Sequence, residues 1–206
     1  MSELQLNTQE QQASYGIGLQ MGEQLAANPF DGLEISAVSQ GIADAFAGAE
    51  SKVAQADLQA AFQVISERMQ AAAAEQAKLL GAAGEEFLAE NAKKEGVIVT
   101  ESGLQYEIIT TGEGEKPTAA STVSVHYHGS LTDGTVFDSS VERGQPAEFP
   151  VGGVIAGWTE ALQLMNVGSK YKLTVPANLA YGERGAGAAI GPHSVLVFDV
   201  ELLAIK

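Results

Sequence analysis

Two histidines, two positions apart, are the first residues whose spacing suggests chemistry. His126 and His128 lie in STVSVHYHGSL, where alternating residue character predicts a half-buried strand, so both side chains leave one strand face as a metal pair would. A tetrahedral site needs further nitrogen, sulfur or carboxylate ligands. The chain has only one more histidine, His193, and no cysteine. We therefore interpret the pair as structural, and expect no metal and no cofactor.

A glycine-rich segment is the second candidate. GERGAG, at 182–187, lacks both the spacing and the lysine of a phosphate-binding loop. It lies within ANLAYGERGAGAAIGPH, which is longer than a turn requires, and such loops often carry function. Tyr181 stands near the start of this loop, either as a surface residue or as a functional one. Because cysteine is absent, disulfides, thiolate metal sites and a cysteine nucleophile are excluded.

Aromatic residues near one acidic residue form the third candidate. Taken singly, Trp158, Phe137 and Phe198 are best interpreted as core residues. Asp138 follows Phe137 directly rather than standing beside a glycine, so it is either a turn cap or part of a polar site. The residues alone leave both interpretations open.

The charge balance excludes several classes of partner. The net charge is -15, with 26 acidic residues against 11 Lys and Arg, whereas nucleic-acid binding requires basic residues that release counterions. We expect no nucleic-acid partner. No stretch is apolar enough to span a bilayer, so we expect no membrane association either. MSELQLNTQEQQ has no basic segment followed by an apolar run, which favours a cytoplasmic location, or a periplasmic one if a leader was removed.

The composition changes near Gly96 from Ala, Gln and Glu to Val, Ile, Thr, Tyr and Phe, punctuated by Gly and Pro. The first part predicts helices and the second predicts mostly strands. We expect an α+β protein with three segments. These are a helical dimerisation module at 1–54, a long stalk helix at 55–95 whose first half packs in that module, and a sheet domain at 96–206.

Three helices are predicted before Gly96. Thr8 can cap a helix over 9–27 that ends at the Asn28-Pro29 pair. A second is expected over 35–47, and a third over 55–94 would be roughly 60 Å long. The third has an apolar stripe on its first half, whereas its second half predicts a solvated stalk that Gly81 and Gly84 weaken.

So few helices make a poor core for one chain, because a small unit buries too little apolar surface to offset its ordering entropy. Glycines on the apolar face of the first helix also need a packing reason, and close approach of another helix is one. We therefore predict an intertwined homodimer. The alternative is a compact three-helix bundle docked on the sheet domain. The predicted interface residues are Tyr15, Gly18, Leu19, Gly22, Val38, Ile42, Phe46 and Phe62.

After Gly96, several blocks together resemble one known family. VHYHGSLTDGTVFDSS, VIAGWTEALQLMNVG and LAYGERGAGAAIGPHSVLVFDVELL are similar, in content and order, to FKBP-type peptidyl-prolyl cis/trans isomerases. The likeness covers about 103–205. The helices before it resemble the Mip-like bacterial subgroup, and the lack of a leader resembles its cytoplasmic member. The resemblance implies an antiparallel sheet wrapped around a short helix.

The resemblance also implies an aromatic pocket that binds proline segments of unfolded or partly folded proteins, and macrolide immunosuppressants as inhibitors. Trp158 would form its floor, and the N–H of Ile155 and the hydroxyl of Tyr181 would hold carbonyl oxygens. Arg143 would orient Asp138 and Tyr127. The implied catalytic residues are Tyr127, Phe137, Asp138, Ile155, Trp158, Tyr181 and Phe198, and the implied substrate-binding residues are Val154, Arg143 and Ile190.

Two departures from the family pattern predict a more open pocket. Ala147 stands where the family often has an aromatic residue, and Ala186, Ala188 and Ala189 replace bulkier loop residues. The leading expectation is a dimeric isomerase that accelerates protein folding and holds clients in a chaperone-like way. Two alternatives remain: a module that binds proline segments without catalysis, and a structural dimeriser with a relic domain.

Overall fold

A computed structural model of the chain describes residues 5–206. Three helices come first: α1 is Gln9–Ala27, α2 is Ile35–Phe46 and α3 is Gln55–Asn91. α1 begins where the sequence predicts, because Thr8 forms a capping box with Gln11: the Thr8 hydroxyl accepts from the Gln11 N–H at 3.3 Å, and the Gln11 side chain accepts from the Thr8 N–H at 3.1 Å.

The chain divides into two compact units, and the boundary lies inside α3. The first, here called the helical unit, ends at Ala72, and the second, the sheet unit, is Ala73–Lys206. In the helical unit, α1 and α2 contain no buried residue. No described helix within 5–206 is both long and apolar enough to cross a membrane.

The expectation of a solvated second half of α3 agrees with the exposure of residues 70–76 and is wrong for residues 77–91. Gly84 is buried, and a methyl group placed on it would lie 2.9 Å from Val195 Cγ2. Inward residues recur every three or four positions, which is the spacing of one helix face. They are Ala77, Leu80, Gly81, Gly84, Phe87, Leu88 and Asn91.

One antiparallel sheet forms most of the sheet unit. Its strands follow the order β1-β2-β6-β7-β3-β4, and β5 pairs with β3. A short helix, α4 (Ala156–Leu164), precedes β6 and buries Trp158, Ala161 and Leu162. The strands are β1 Val97–Val99, β2 Gln105–Thr110, β3 Thr122–Leu131, β4 Val136–Ser139, β5 Ala147–Pro150, β6 Lys170–Val175 and β7 Leu196–Ile205.

The core of the sheet unit lies between the sheet and α4. Alternation along β3 and β7 sends every second side chain to this face, as strand geometry requires. The expected α+β architecture, helices followed by an antiparallel sheet around a short helix, is confirmed. The fully buried apolar residues include Leu104, Val123, Val125, Leu162, Met165, Leu173, Leu196, Val200 and Leu202.

Candidate functional site

A cavity of about 490 Å³ opens beside α4 and is walled mainly by aromatic side chains. Its residues come from β3, β4, β5, β7, the start of α4 and the loop after β6, so six separate segments converge on it. Eight of the predicted site residues line the cavity: Tyr127, Phe137, Asp138, Val154, Ile155, Trp158, Tyr181 and Phe198.

Trp158 stands at the centre of the aromatic cluster. Three rings meet it edge to face: Tyr127 at 5.3 Å, Phe198 at 5.3 Å and Phe149 at 5.9 Å between centroids. Such tilted contacts are the preferred geometry for aromatic pairs. Trp158 is only 4% exposed, and its indole N–H has no hydrogen-bond partner among residues 5–206. The indole therefore forms a buried floor for the cavity.

Gly129 makes room for two of the walls. It pairs with Phe198 on one side and with Asp138 on the other, so at this position β3 lies between β7 and β4. A methyl group there would stand 2.8 Å from the Phe137 ring and 2.9 Å from the Phe198 ring. Those two rings meet edge to face at 5.5 Å. A side chain at Gly129 would displace both rings.

A polar network closes one side of the pocket. The Tyr127 hydroxyl donates to Asp138 Oδ2, and the Arg143 guanidinium donates to Asp138 Oδ1. Arg143 also donates to the Tyr127 hydroxyl at 3.0 Å, and its guanidinium lies 5.7 Å from the centre of the Tyr127 ring. Each of the three groups thus contacts the other two. Arg143 is not one of the residues that line the cavity; it contacts two that do.

The network shifts two pKa values in opposite directions. Burial raises the pKa of the Tyr127 hydroxyl, and its hydrogen bond to Asp138 raises it further. Burial tends to raise the pKa of Asp138 too, but the hydrogen bonds from Tyr127 and Arg143 and the guanidinium charge outweigh it, so that pKa lies below its ordinary value. At neutral pH the pocket therefore holds a carboxylate and a protonated phenol.

The start of α4 contributes Ile155 to the wall of the cavity. The Ile155 carbonyl accepts from the N–H of Trp158 at 2.9 Å and of Thr159 at 3.0 Å, as expected for the residue that begins a helix. The Ile155 N–H donates to no acceptor among residues 5–206. It is therefore available to a ligand, and Val154 lies directly before it.

The loop after β6 supplies Tyr181, which is 43% exposed at the edge of the cavity. Ile190 lies elsewhere: it is 8% exposed, packs in the core, and is not among the residues that line the cavity. Its backbone exchanges two hydrogen bonds with Ala186, at 2.8 and 3.1 Å. Ile190 thus closes the loop into a small hairpin.

Three residues at the site escaped the sequence-based prediction: Phe149, Gly153 and Gly129. In β5, Ala147 and Phe149 are two positions apart and both half-buried, so they share a strand face. The prediction named Ala147, where the family often has an aromatic residue, and omitted Phe149, two positions later. Strand alternation would have found Phe149, but nothing in the sequence indicated that Gly129 faces two rings.

Each of the two histidines of β3 forms a hydrogen bond with a serine hydroxyl. His126 Nδ1 lies 3.1 Å from Ser140 Oγ, and His128 Nδ1 lies 3.0 Å from Ser139 Oγ. This is the arrangement expected of structural histidines.

The predicted interface residues lie on the surface of the helical unit. Phe46 is 95% exposed and Phe62 is 72% exposed. Tyr15, Leu19 and Ile42 are between 43% and 50% exposed, and Val38 is half-buried. A methyl group placed on Gly18 or Gly22 would meet nothing within 4 Å. Nothing within 5–206 covers these glycines.

Comparison with known proteins places this geometry in a family. Residues 113–203 match the FKBP-type peptidyl-prolyl cis-trans isomerase family, and residues 10–108 match the domain amino terminal to FKBP-type peptidyl-prolyl isomerase. The chain is 56% identical over 199 residues to the FKBP-type 22 kDa peptidyl-prolyl cis-trans isomerase of Escherichia coli (strain K12), covering 97% of each chain.

Two further relatives match over nearly the whole chain. The crystal structure of FkpA from Escherichia coli has a TM-score of 0.71 at 36% identity and covers 98% of this chain and 99% of its own. Outer membrane protein MIP of Legionella longbeachae is 40% identical over 205 residues, covering 98% of this chain and 88% of that protein. Both parts of the chain, helical and sheet, thus occur together in these relatives.

Proposed function

The chain belongs to the FKBP-type peptidyl-prolyl cis-trans isomerase family and is an isomerase of that class, and on that premise we propose that the aromatic cavity is its catalytic site. The observation that carries the proposal is the convergence of three aromatic rings on Trp158, next to Ile155, whose N–H donates to no acceptor among residues 5–206. In this proposal, Phe137, Phe198 and Tyr127 hold the proline ring against the Trp158 floor.

The reaction requires no covalent step. Rotation about an Xaa–Pro bond crosses a barrier of about 20 kcal/mol because the planar amide loses its resonance. In the twisted form the nitrogen is more pyramidal and the carbonyl is less polar. A dry aromatic wall disfavours the polar planar form relative to the twisted one, so the cavity lowers the barrier without an acid, a base or a nucleophile.

Two donors hold one side of the turning bond in the proposed mechanism. The Ile155 N–H and the Tyr181 hydroxyl bind carbonyl oxygens of the substrate, so that one segment stays fixed while the other rotates. The Asp138, Tyr127 and Arg143 network acts on the wall rather than on the bond. Its hydrogen bonds hold the Tyr127 ring in place, and Val154 completes the contact surface.

A protease-free assay with a proline tetrapeptide tests these roles. We expect Asp138→Val and Tyr181→Phe each to lower kcat/KM by about tenfold, which is the size of one lost hydrogen bond to a charged or reacting group. Normal folding of each variant is checked by Trp158 fluorescence. If both variants retain the rate of the unmodified chain, the cavity is not the catalytic site.

We further propose that the chain is a homodimer that binds partly folded clients. Support comes from the helical unit, whose α1 and α2 bury nothing and whose Phe46 and Phe62 face solvent. A depression of about 900 Å³ runs along α1 beside Tyr15, Leu19 and the two glycines, which suits a second helix. Exposed apolar area of this kind marks an interaction surface.

Sedimentation of the full chain beside a 73–206 fragment, which is the sheet unit, tests the dimer, since only the full chain should sediment at twice its mass. Removal of residues 1–72 should reduce turnover of a folding protein more than turnover of the tetrapeptide, because only the protein spans beyond the pocket. Equal losses on both substrates would contradict client binding by the helical unit.

Proline-containing protein segments are the expected substrates, and macrolide immunosuppressants the expected inhibitors. Ala147 in place of a larger residue leaves room beside Phe149, so we propose that macrolides bind more weakly than to a site walled by an aromatic residue there. An inhibition titration of the chain and of Ala147→Phe tests this, and Ala147→Phe should bind more tightly.

The cytoplasmic location expected from the sequence gains no support from relatives such as Outer membrane protein MIP and stays a prediction.

A further inference from the structure

The loop that bears Tyr181 rests against the last turns of α3, so a helix outside the catalytic cavity contacts a catalytic loop. Gly84 faces Val195, and a methyl group on Gly84 would lie 2.9 Å from Val195 Cγ2 and 3.6 Å from the His193 carbonyl oxygen. A side-chain Cβ almost never lies as close to another carbon atom as the 2.9 Å to Val195 Cγ2, and Val195 is only 5% exposed. The absence of a side chain at Gly84 therefore sets how near the loop lies to the helix.

Hydrogen bonds within the loop hold its two ends together. The His193 N–H donates to the Gly182 carbonyl at 2.9 Å, which joins the two ends. Inside that closure, Ala186 and Ile190 exchange two further hydrogen bonds. Tyr181 directly precedes Gly182, so a displacement at His193 is transmitted through one hydrogen bond to the residue next to Tyr181.

The helix end is itself anchored on the sheet. Asn91 Nδ2 donates to Gln105 Oε1 at 2.8 Å and to Thr174 Oγ1 at 3.3 Å. Gln105 is 4% exposed and its Nε2 donates to the Leu88 carbonyl at 2.9 Å. Hydrogen bonds in so buried a position are costly to break. The helix therefore provides a fixed surface against which the loop is held.

We propose that Gly84 is a positioning residue for prolyl isomerisation, which acts through Val195 and His193 to place the Tyr181 hydroxyl at the edge of the cavity. The inference rests on the catalytic role proposed above for Tyr181. It adds that the end of α3 is part of the catalytic apparatus of the sheet unit.

A matched pair of substitutions in the full-length chain provides the test. At Gly81, one turn earlier, a methyl group would lie 3.5 Å from His193 Cβ, which is an ordinary contact. Gly81→Ala and Gly84→Ala therefore bring the same gain in helix propensity, but only the second pushes on the loop. In the tetrapeptide assay we expect Gly81→Ala to match the unmodified chain and Gly84→Ala to lower kcat/KM by roughly threefold. Gly84→Leu should lower it by about tenfold, since small misplacements at a reacting site have large effects.

A double-mutant cycle separates positioning from loss of fold. If Gly84 acts through Tyr181, the Gly84→Leu, Tyr181→Phe double variant should be no slower than the slower single variant. A general loss of structure would instead multiply the two effects. Val195→Ala removes Cγ2, the methyl group that an alanine at Gly84 would meet at 2.9 Å, so Gly84→Ala combined with Val195→Ala should have the rate of Val195→Ala alone. If Gly84→Leu does not fold, the comparison of the Gly84→Ala, Val195→Ala double variant with Val195→Ala alone still tests the inference.

Three results would overturn the inference: equal rates for Gly81→Ala and Gly84→Ala, multiplied losses in the cycle, or no rescue by Val195→Ala. If Tyr181→Phe lowers the rate, any of these three results would refute the proposed role of Gly84 without contradicting the proposed catalytic site. An unchanged rate for Tyr181→Phe would instead defeat both the proposed role of Tyr181 and the inference built on it.

Discussion

The helical unit and the sheet unit treat their apolar side chains in opposite ways. In the first, α1 and α2 bury no residue, and Phe46 and Phe62 are 95% and 72% exposed. In the second, Leu173 and Leu202 have no exposed surface, and six aromatic residues line a cavity. The two units also differ in composition, since the helical unit is rich in Ala, Gln and Glu and the sheet unit in Val, Ile, Thr, Tyr and Phe.

The difference indicates where the stability of a single chain comes from. Each square ångström of apolar surface removed from water contributes about 25 cal/mol, so the sheet unit stabilises itself and the helical unit gains little alone. We expect a second copy to supply the missing contacts. The sheet unit should therefore unfold independently of protein concentration, whereas the helical unit should depend on it.

The largest expected effect is in the core of the sheet unit. Leu173→Ala should lower the free energy of unfolding by about 2–5 kcal/mol, because it leaves a cavity in a fully buried position. Urea unfolding followed by the fluorescence of Trp158, the only tryptophan, measures it. The matched control is Leu79→Ala, at a leucine that is 57% exposed, where little change is expected. Similar losses for both variants would contradict the assigned core.

The second expected effect is in the helical unit. Phe62→Glu should raise the dimer dissociation constant at least about 30-fold, since loss of a central aromatic contact typically costs 2 kcal/mol or more. Sedimentation equilibrium measures it. Ile109→Glu makes a similar change at a residue of the sheet unit that is 50% exposed, and should leave association unchanged. If Ile109→Glu weakens the dimer and Phe62→Glu does not, the interface has been assigned to the wrong unit.

Glycine substitutions sharpen the comparison at the site. Gly129→Ala should lower kcat/KM on a tetrapeptide by about tenfold, because the added methyl group displaces the rings of Phe137 and Phe198. Gly41→Ala in α2 meets nothing within 4 Å, so it should leave that rate unchanged and stabilise its helix by up to about 1 kcal/mol. A Gly129→Ala variant with full activity would show that the two rings need not stand where they do.

The smallest expected effect is electrostatic. Asp138 has a lowered pKa in the folded chain, so the stability that it contributes is fully present above its unfolded pKa of about 3.9 and is lost as the pH falls through the lower folded value. The stability difference between the unmodified chain and Asp138→Asn should thus be constant near neutral pH and shrink below about pH 4. Because the side chain is 43% exposed, added salt should reduce it. A difference that grows on acidification would refute the assignment.

Much of the fold followed from local signals. The predicted helices 9–27 and 35–47 match α1 and α2 to within one residue, because Thr8, the Asn28-Pro29 pair and Gly48 define their ends. The third helix ends at Asn91 rather than at Lys94, as fraying at a polar end allows. The strand segments were recognisable by their alternation and β-branched residues.

The second half of α3 shows where local signals fail. Its Ala and Gly residues predict a solvated stalk, since few large apolar side chains are present. Burial there depends on a partner surface. Val195 and His193 supply that surface, and they lie more than 100 residues later in the chain. Gly84 looks like a weak point in an isolated helix, yet it is a close contact in the folded chain.

The candidate site divides in the same way. The family resemblance in the sequence named the aromatic residues, Asp138 and Tyr181 of the glycine-rich loop, and these residues line one cavity in the structure, whereas their catalytic roles stay a prediction. The tertiary structure alone decided that Gly129 separates two rings, that Phe149 reaches Trp158, and that Ile190 closes the loop instead of lining the cavity. These are properties of distance between segments far apart in the chain, and residue type does not encode such distances until strand register and packing are set.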